Sequence, residues 1–337
     1  MQVAQGSYVG NGVDNRGITG VGFQPDWVMI KIDQSVYFPV HRTSTMVGDV
    51  SALETSATLQ ADMIQSLDAD GFTVGTGTNV NVNTVGYDWV AVRASNADFK
   101  VGTYTGNGSD SRGITGVGFL PALVMIFAVK SEFYVWRTVQ HAGDLSSNFG
   151  FAGTAADLIQ SLDADGFTIG THTRVNANTF AYHYVAFKSV AGFFSTGSYT
   201  GNGLDNRSIT GAGFQPAFVH VARSATSTPR FKMASFVGEE TANYTATAPD
   251  ATDFIQAFGA DGFTVGTNAA VNADTETFRW FAIKAGDSPA PPVGGGSTGG
   301  KGKGKSKGGG TGSPQPPGKL KTFGTGHWHY GQNRWWH

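Results

Sequence analysis

The chain has 337 residues, 48 glycines, no cysteine and a formal net charge of −2. The lack of cysteine excludes disulfides, and the longest apolar run, 122–129, is too short to span a bilayer, so we expect no membrane insertion. Charge is uneven, −8 over 1–286 and +6 over 287–337, and the acidic body is a poor candidate for specific nucleic-acid binding.

A stretch of about 20 residues is repeated three times and sets the organisation of the chain. Its copies start at Tyr8, Tyr104 and Tyr199. A unit of about 95 residues can bury its own core, whereas solenoid and propeller repeats run to about 20–50 residues. We therefore expect three tandem domains rather than one closed repeat fold. They would cover residues 1–101, 102–196 and 197–285.

Each copy opens with a short strand that ends in Asn-Gly, a pair that favours tight turns. An arginine and then a proline follow at fixed offsets, and the proline marks the entry to an apolar strand such as 27–32 or 123–128. A second strand follows at 36–42 and 132–137. The copies then diverge over 43–61, 138–156 and 224–252, which we interpret as surface loops and short edge strands.

The copies converge again at 63–75, 158–170 and 254–266, where the pattern predicts strand, Asp-Gly turn and strand. Each closes with an alternating aromatic and β-branched strand, as at 87–93. With about six to eight short strands per copy, we predict an all-β chain of three antiparallel, jelly-roll-like β-sandwiches. A helix is expected only around 57–65, if anywhere.

Composition changes after residue 285. Residues 286–318 are rich in glycine, proline and lysine, which predicts a flexible linker, and residues 319–337 form a Trp/His-rich peptide. Tryptophan and arginine are common interface hot spots, so we interpret this peptide as an anchor for a partner. The alternative is a disordered or merely adhesive tail. The candidate anchoring residues are Trp328, Tyr330, Arg334, Trp335 and Trp336.

Histidines 327, 329 and 337 in the same peptide raise the question of a metal, but no acidic or cysteine ligand accompanies them, so we expect none. Asp68-Ala-Asp-Gly71 resembles the start of a calcium loop. It lacks the later ligands, and an Asp-Gly hairpin turn is the favoured interpretation.

The repeated Arg16, Arg112 and Arg207 each lie two residues after an aspartate. A glycan or carboxylate site is one interpretation. A structural arginine that ties the opening turn to a neighbouring strand is the favoured one.

Six aromatic and basic residues lie beside the divergent segments and are the candidate ligand-binding residues. Exposed aromatic rings there would stack on sugars, and packing in the core or at a sheet edge is the alternative. The six are Tyr37, His41, Arg42, Tyr134, Trp136 and Arg137.

No motif of nucleophilic, metalloprotease, phosphate-binding or paired-carboxylate chemistry occurs in the chain. We therefore expect no enzyme, no catalytic residues and no cofactor.

The repeated pattern resembles an uncharacterised repeat domain of tailed-bacteriophage virion proteins, in tail-fibre-like or other particle-surface proteins. The matching residues are 10–26, 66–75 and 89–93, with their equivalents in the later copies. The resemblance covers nearly all of 6–285 and none of the tail. It implies a β-sandwich displayed on a virion, and the family offers no catalytic residues to transfer.

The leading hypothesis is thus a non-enzymatic virion structural protein, such as a tail fibre, receptor-binding or decoration protein. Its tail would bind other virion proteins or sister subunits, the latter as a homo-oligomer, and its loops would bind a host-surface glycan. The start of the chain has no secretion-signal pattern, which fits a virion assembled in the host cytoplasm. The alternative is an extracellular or cell-surface, filament-forming adhesin, and a glycan-degrading enzyme ranks third.

Overall fold

The computed structural model describes residues 1–33, 37–53, 58–95, 97–150, 153–225, 227–245 and 251–287. These residues belong to one compact unit, Met1–Pro292. The predicted linker beyond residue 287 and the predicted anchor peptide lie outside the described residues.

The first copy of the repeat, module 1, holds eight strands and one helical turn. These are β1 (Gln2–Val9), β2 (Arg16–Thr19), β3 (Trp27–Ile32), β4 (Val40–Thr43), β5 (Ala52–Leu53), β6 (Ile64–Asp68), β7 (Gly71–Val74), α1 (Thr78–Asn81) and β8 (Gly86–Arg93).

Module 2 repeats this order with one more short strand. Its elements are β9 (Phe99–Thr105), β10 (Arg112–Thr115), β11 (Leu123–Ala128), β12 (Val135–Thr138), β13 (Ser146–Asn148), β14 (Thr154–Ala155), β15 (Ile159–Asp163), β16 (Gly166–Ile169), α2 (Thr173–Asn176) and β17 (Ala181–Phe187).

Module 3 follows the order of module 1 and is succeeded by one strand that returns to the first module. Its elements are β18 (Phe194–Thr200), β19 (Arg207–Thr210), β20 (Phe218–Arg223), β21 (Arg230–Met233), β22 (Ala242–Asn243), β23 (Ile255–Gly259), β24 (Gly262–Val265), α3 (Ala269–Asn272) and β25 (Thr277–Ile283). The returning strand is β26 (Gly286–Asp287).

Each module is an antiparallel sandwich of a large and a small sheet. In module 1 the large sheet has the order β26-β1-β8-β3-β4-β5 and the small sheet the order β2-β7-β6. Modules 2 and 3 repeat both sheets, apart from the added β14 and the absence of a β26 equivalent in their described residues. The prediction of an all-β chain built of antiparallel β-sandwiches is confirmed.

The large sheets are buried on both faces, and strand β3 shows why its sequence is apolar throughout. Val28, Ile30 and Ile32 pack towards the small sheet of module 1. Trp27 and Met29 point the opposite way, as the two-residue period of a strand requires, into a second cluster. Burying each such side chain stabilises the fold by roughly 1.5–3 kcal/mol.

That second cluster, the shared core, contains residues from all three modules. Trp27 of module 1 meets Phe187 of module 2 edge to face, with ring centroids 6.2 Å apart. Trp136 of module 2 meets His220 of module 3 at 4.7 Å. The modules therefore build one common interior in addition to their own cores, which differs from the expectation of tandem domains without closure.

The three modules make contacts in a ring, and we call each contact between modules a seam. At seam 1–2 the Thr45 hydroxyl and His183 Nδ1 lie 2.8 Å apart. At seam 2–3 Arg279 Nε donates to the Gln140 carbonyl at 3.1 Å. The ring closes at seam 3–1, where β21 packs against β8 and the backbone N–H of Ala234 donates to Gln5 Oε1 at 3.2 Å.

Three details of the structure differ from the sequence expectations. The expected domain limits at 101/102 and 196/197 fall inside β9 and β18, so the junctions between modules lie a few residues earlier. The helix expected around 57–65 is wrong: no described residue there is helical, and β6 begins at Ile64. The short edge strands expected in the divergent segments are present, for example β5 and β22, but these two are buried rather than on the surface.

Candidate functional site

Five of the six candidate ligand-binding residues are buried, which supports the alternative of core or sheet packing for them rather than an exposed surface site. His41 is 1% exposed, Tyr134 and Trp136 are fully buried, and Arg42 and Arg137 are 6% exposed. Only Tyr37, at 40%, is on the surface. The five residues are buried because β4 and β12 are interior strands of large sheets whose second face packs in the shared core.

The aromatic members of this set pack within the shared core. The His41 ring stacks on Trp27 at 5.8 Å and lies 5.1 Å from Phe127 of module 2. Burial lowers the pKa of His41 to about 3, because the charged imidazolium is poorly solvated there. At neutral pH this histidine is therefore an uncharged packing residue.

The paired arginines act as backbone braces. Arg42 donates to the carbonyls of Met46, Gly48 and Ile64 at 3.1, 2.7 and 3.1 Å, and also to that of Val50. Burial lowers its pKa, while two nearby aspartates partly offset the loss of hydration.

Arg137 repeats this set of bonds in module 2, and Lys232 at the same position of module 3 donates to the carbonyls of Gly238 and Glu240 at 2.7 Å. These cations order the segment that follows the fourth strand of each module.

The favoured interpretation of the repeated arginine is confirmed. Arg16 Nη1 donates to the Val9 carbonyl at 2.5 Å and to Asn81 Oδ1 at 3.2 Å, and its guanidinium lies over the Tyr8 ring at 5.2 Å. Arg112 and Arg207 stand over Tyr104 and Tyr199 in the same way. The arginine ties the opening turn to its neighbours, as a structural role requires.

An asparagine that the sequence analysis did not single out is the centre of this arrangement. Asn81 Nδ2 donates to the carbonyls of Val13 and Gly75 at 2.8 and 2.9 Å. Its Oδ1 accepts from the Asn11 N–H at 3.0 Å, in addition to Arg16. Asn176 and Asn272 repeat these bonds, and the Val-Asn pair that recurs in all three copies was the available signal.

The Asp-Ala-Asp-Gly segment forms a hairpin turn between β6 and β7. Asp70 accepts from the backbone N–H groups of Gly20 and Gly22 at 3.1 and 2.6 Å, and so it joins the hairpin to the loop after β2. The hairpin interpretation is confirmed. Within the described ranges, no group of three or more histidine, cysteine, aspartate or glutamate side chains is placed to hold a metal ion.

A polar pocket of about 550 Å³ opens in module 1, at the edge where β3 begins and β4 and β8 end. Its polar lining comes from separate segments of the chain: Gln24, Asp26, Arg42, Ser44, Ser66 and Arg93. Pro25, Met46, Leu67 and Ala94 complete it. Of the six candidate ligand-binding residues, Arg42 lines this pocket, and the other lining residues were not predicted.

The Asp26 carboxylate is fixed in the pocket by two bonds. It accepts from the Ser44 hydroxyl at 3.1 Å and from the Ala94 N–H at 2.9 Å. Gln24 Nε2 donates to the Leu67 carbonyl at 2.8 Å, which leaves the amide oxygen as an acceptor. These polar groups are thus held in place before any ligand arrives.

Equivalent positions in the other modules lack the acidic group. Ala122 and Ala217 stand where module 1 has Asp26, and Val139 and Ala234 stand where it has Ser44. The same sheets form in all three modules, so the fold does not depend on this polar pair. The acidic lining of the pocket is therefore specific to module 1, although the surrounding fold is repeated in all three modules.

The five candidate anchoring residues, Trp328, Tyr330, Arg334, Trp335 and Trp336, lie outside the described residues, and their role stays a prediction. The helices of the described ranges are single turns, and none is long and apolar enough to cross a membrane.

Comparison with known proteins gives one match. Residues 3–236 match the model of a domain of unknown function (DUF7483). The matched region spans modules 1 and 2, both module junctions and the first four strands of module 3. No curated protein and no solved structure matches the chain.

Proposed function

The chain belongs to this family of unknown function, DUF7483, and we propose that it is a non-enzymatic structural protein of a bacteriophage particle. The three-module body is displayed on the particle surface, where it binds host-surface glycan. The C-terminal tail attaches the body to other virion proteins or to sister subunits.

The pairing of β1 with β26 is the observation that best supports a tethered, displayed body. Gln2 pairs with Asp287 and Val3 with Gly286, so the body begins and ends on neighbouring strands. The tail follows directly from that edge. Attachment through one edge of the body suits display and adhesion.

The use of charged and aromatic side chains also supports a scaffold role. Arg42 and Arg137 brace loops, and the rings of His41 and Trp136 pack in the shared core. A rigid body with a common interior holds its surface sites at fixed spacing, which is useful for a particle protein that must present them.

Two experiments test the proposal. An antibody against the body should label, in electron micrographs, purified phage particles whose genome encodes this protein. Labelling of uninfected cells instead would favour the alternative of a cell-surface adhesin. Light scattering should compare full-length protein with its Trp335→Ala/Trp336→Ala variant. A defined oligomer that the double variant loses would support tail-mediated assembly of sister subunits.

A further inference from the structure

We propose that the polar pocket of module 1 binds a carbohydrate of one or two hexose units. This inference rests on the proposed function, in which the body binds glycan, and it assigns the site. The volume of about 550 Å³ lies within the usual range of small-ligand sites, about 300–1,000 Å³.

The polar groups of the pocket suit sugar hydroxyls, which donate and accept hydrogen bonds at the same oxygen. Asp26 offers only acceptors, and its two bonds leave lone pairs free because a carboxylate has about four acceptor positions. Arg93 offers only donors. It is exposed, and no carboxylate of the described residues forms an ion pair with it. An acceptor and a donor of this kind bind neighbouring hydroxyls of one sugar ring.

The exposed lining of the pocket is mainly polar. Pro25 and Met46 belong to the wall but are buried, and Leu67 is half-buried, so these three side chains offer little apolar surface to a ligand. A polar lining favours a hydroxyl-rich ligand, such as a sugar, over an apolar one.

The comparison between modules provides a second argument. The bracing cations and the asparagine centres support the fold of each module and recur in all three. Asp26 and Ser44 occur at their positions only in module 1, where the pocket lies. Their hydrogen bonds stay within module 1, which distinguishes them from the module-specific residues of the seams, and we attribute them to the pocket.

The test is saturation-transfer NMR on the full-length protein. The probes are the methyl glycosides of glucose, galactose, mannose, N-acetylglucosamine and N-acetylgalactosamine, each at about 10 mM, which detects millimolar affinity. We expect transfer from at least one glycoside. The Asp26→Ala/Ser44→Ala variant should weaken that binding by about tenfold or more, since two hydrogen-bonding groups are lost.

Two controls make the result specific. The double variant carries the residues found in module 3, so its thermal unfolding should stay close to that of the parent protein. Arg93→Ala should weaken binding by about fivefold, while Lys188→Ala, at the equivalent position of module 2, should leave it unchanged.

Absence of transfer from all five glycosides would overturn the assignment, as would equal binding by the parent and the folded double variant. Particle labelling that persists in either case would leave the virion proposal standing and remove only the pocket. Glycoside binding without particle labelling would do the reverse.

Discussion

The interior of each module and the seams between modules use polar side chains in opposite ways. Inside the modules, Asn81, Asn176 and Asn272 occupy equivalent positions and make the same bonds. At the seams, equivalent positions carry different residues. Thr45 faces His183, Arg279 donates to the backbone carbonyl of Gln140, and Ser235 lies beside Asp88.

Contacts within a module and contacts between modules thus have different requirements. Each module folds in the same way, so the same asparagine makes the same hydrogen bonds in all three. At the seams, the residues at equivalent positions differ, and we expect this difference to disfavour wrong pairings between similar modules.

The largest expected effect tests whether the shared core joins the modules into one unit. Trp136→Ala should lower the free energy of unfolding by about 3–5 kcal/mol, because a fully buried indole at seam 2–3 is lost. Urea unfolding followed by circular dichroism should show a single transition that moves as a whole. Tyr37→Ala, on the surface, is the control and should change stability by less than about 0.5 kcal/mol. Two transitions, of which only one moves, would indicate independent domains.

The repeated asparagine should give the next largest effect. Asn81→Ala leaves the Asn11 N–H and the Gly75 carbonyl without their hydrogen-bond partner. We expect the free energy of unfolding in urea to fall by about 2–3 kcal/mol. Asn176→Ala and Asn272→Ala should match it within about 1 kcal/mol, since their bonds are the same. A much smaller loss in one module would break the equivalence of the three interiors.

Acid should act on seam 1–2. Burial lowers the pKa of His183 to about 4, below its ordinary value, so its stabilising contribution is present above about pH 6.5 and is lost as pH falls towards 4. Between pH 7 and 4.5 this residue should cost roughly 2 kcal/mol of stability.

His183→Asn should reduce the fall in melting temperature over that range by several degrees, measured by scanning calorimetry. His41 and His141, whose pKa values burial lowers to about 3, add losses of the same sign that the variant keeps. An identical pH profile in parent and variant would show that His183 does not titrate with unfolding.

The smallest expected effect has the opposite sign and lies at seam 3–1. Burial, with a contribution from Asp33, raises the pKa of Asp88 to about 6, while the Ser235 hydroxyl partly offsets it. The native state then takes up a proton below about pH 6 that the unfolded chain does not, so this group destabilises the fold above that pH.

Asp88→Asn should therefore raise the free energy of unfolding at pH 7 by about 1 kcal/mol and leave it nearly unchanged at pH 4. Asp14→Asn, in an exposed turn, is the matched control. Destabilisation by Asp88→Asn at pH 7 would mean that the charge of Asp88 supports seam 3–1.

The sequence predicts the local parts of this structure because their signals are local. The alternating pattern of 87–93 predicts β8, the Asp-Gly pair predicts the β6–β7 turn, and the fixed offset of Arg16 predicts a structural tie. The burial of His41 and Trp136 could not be predicted in this way. A strand covered on its second face by another module has the same pattern as one that exposes aromatics to a ligand.

The pocket could not be predicted from the positions that agree among the three copies, because those positions reflect the common fold. Asp26 stands where the other copies have Ala122 and Ala217, and such a difference indicates a feature that is specific to module 1. The lining also comes from segments around residues 24, 44, 66 and 93, which only the sandwich brings together.

The pairing of β1 with β26 gives the body the topology of a closed circle. A short peptide from Asp287 to Gln2 would join ends that already lie on adjacent strands, and the chain could then be opened between β8 and β9 instead. The permuted module orders 2-3-1 and 3-1-2 keep all three seams, whereas 1-3-2 mismatches each of them. Circular permutants of the body in these two module orders should therefore reach the same fold as the natural order.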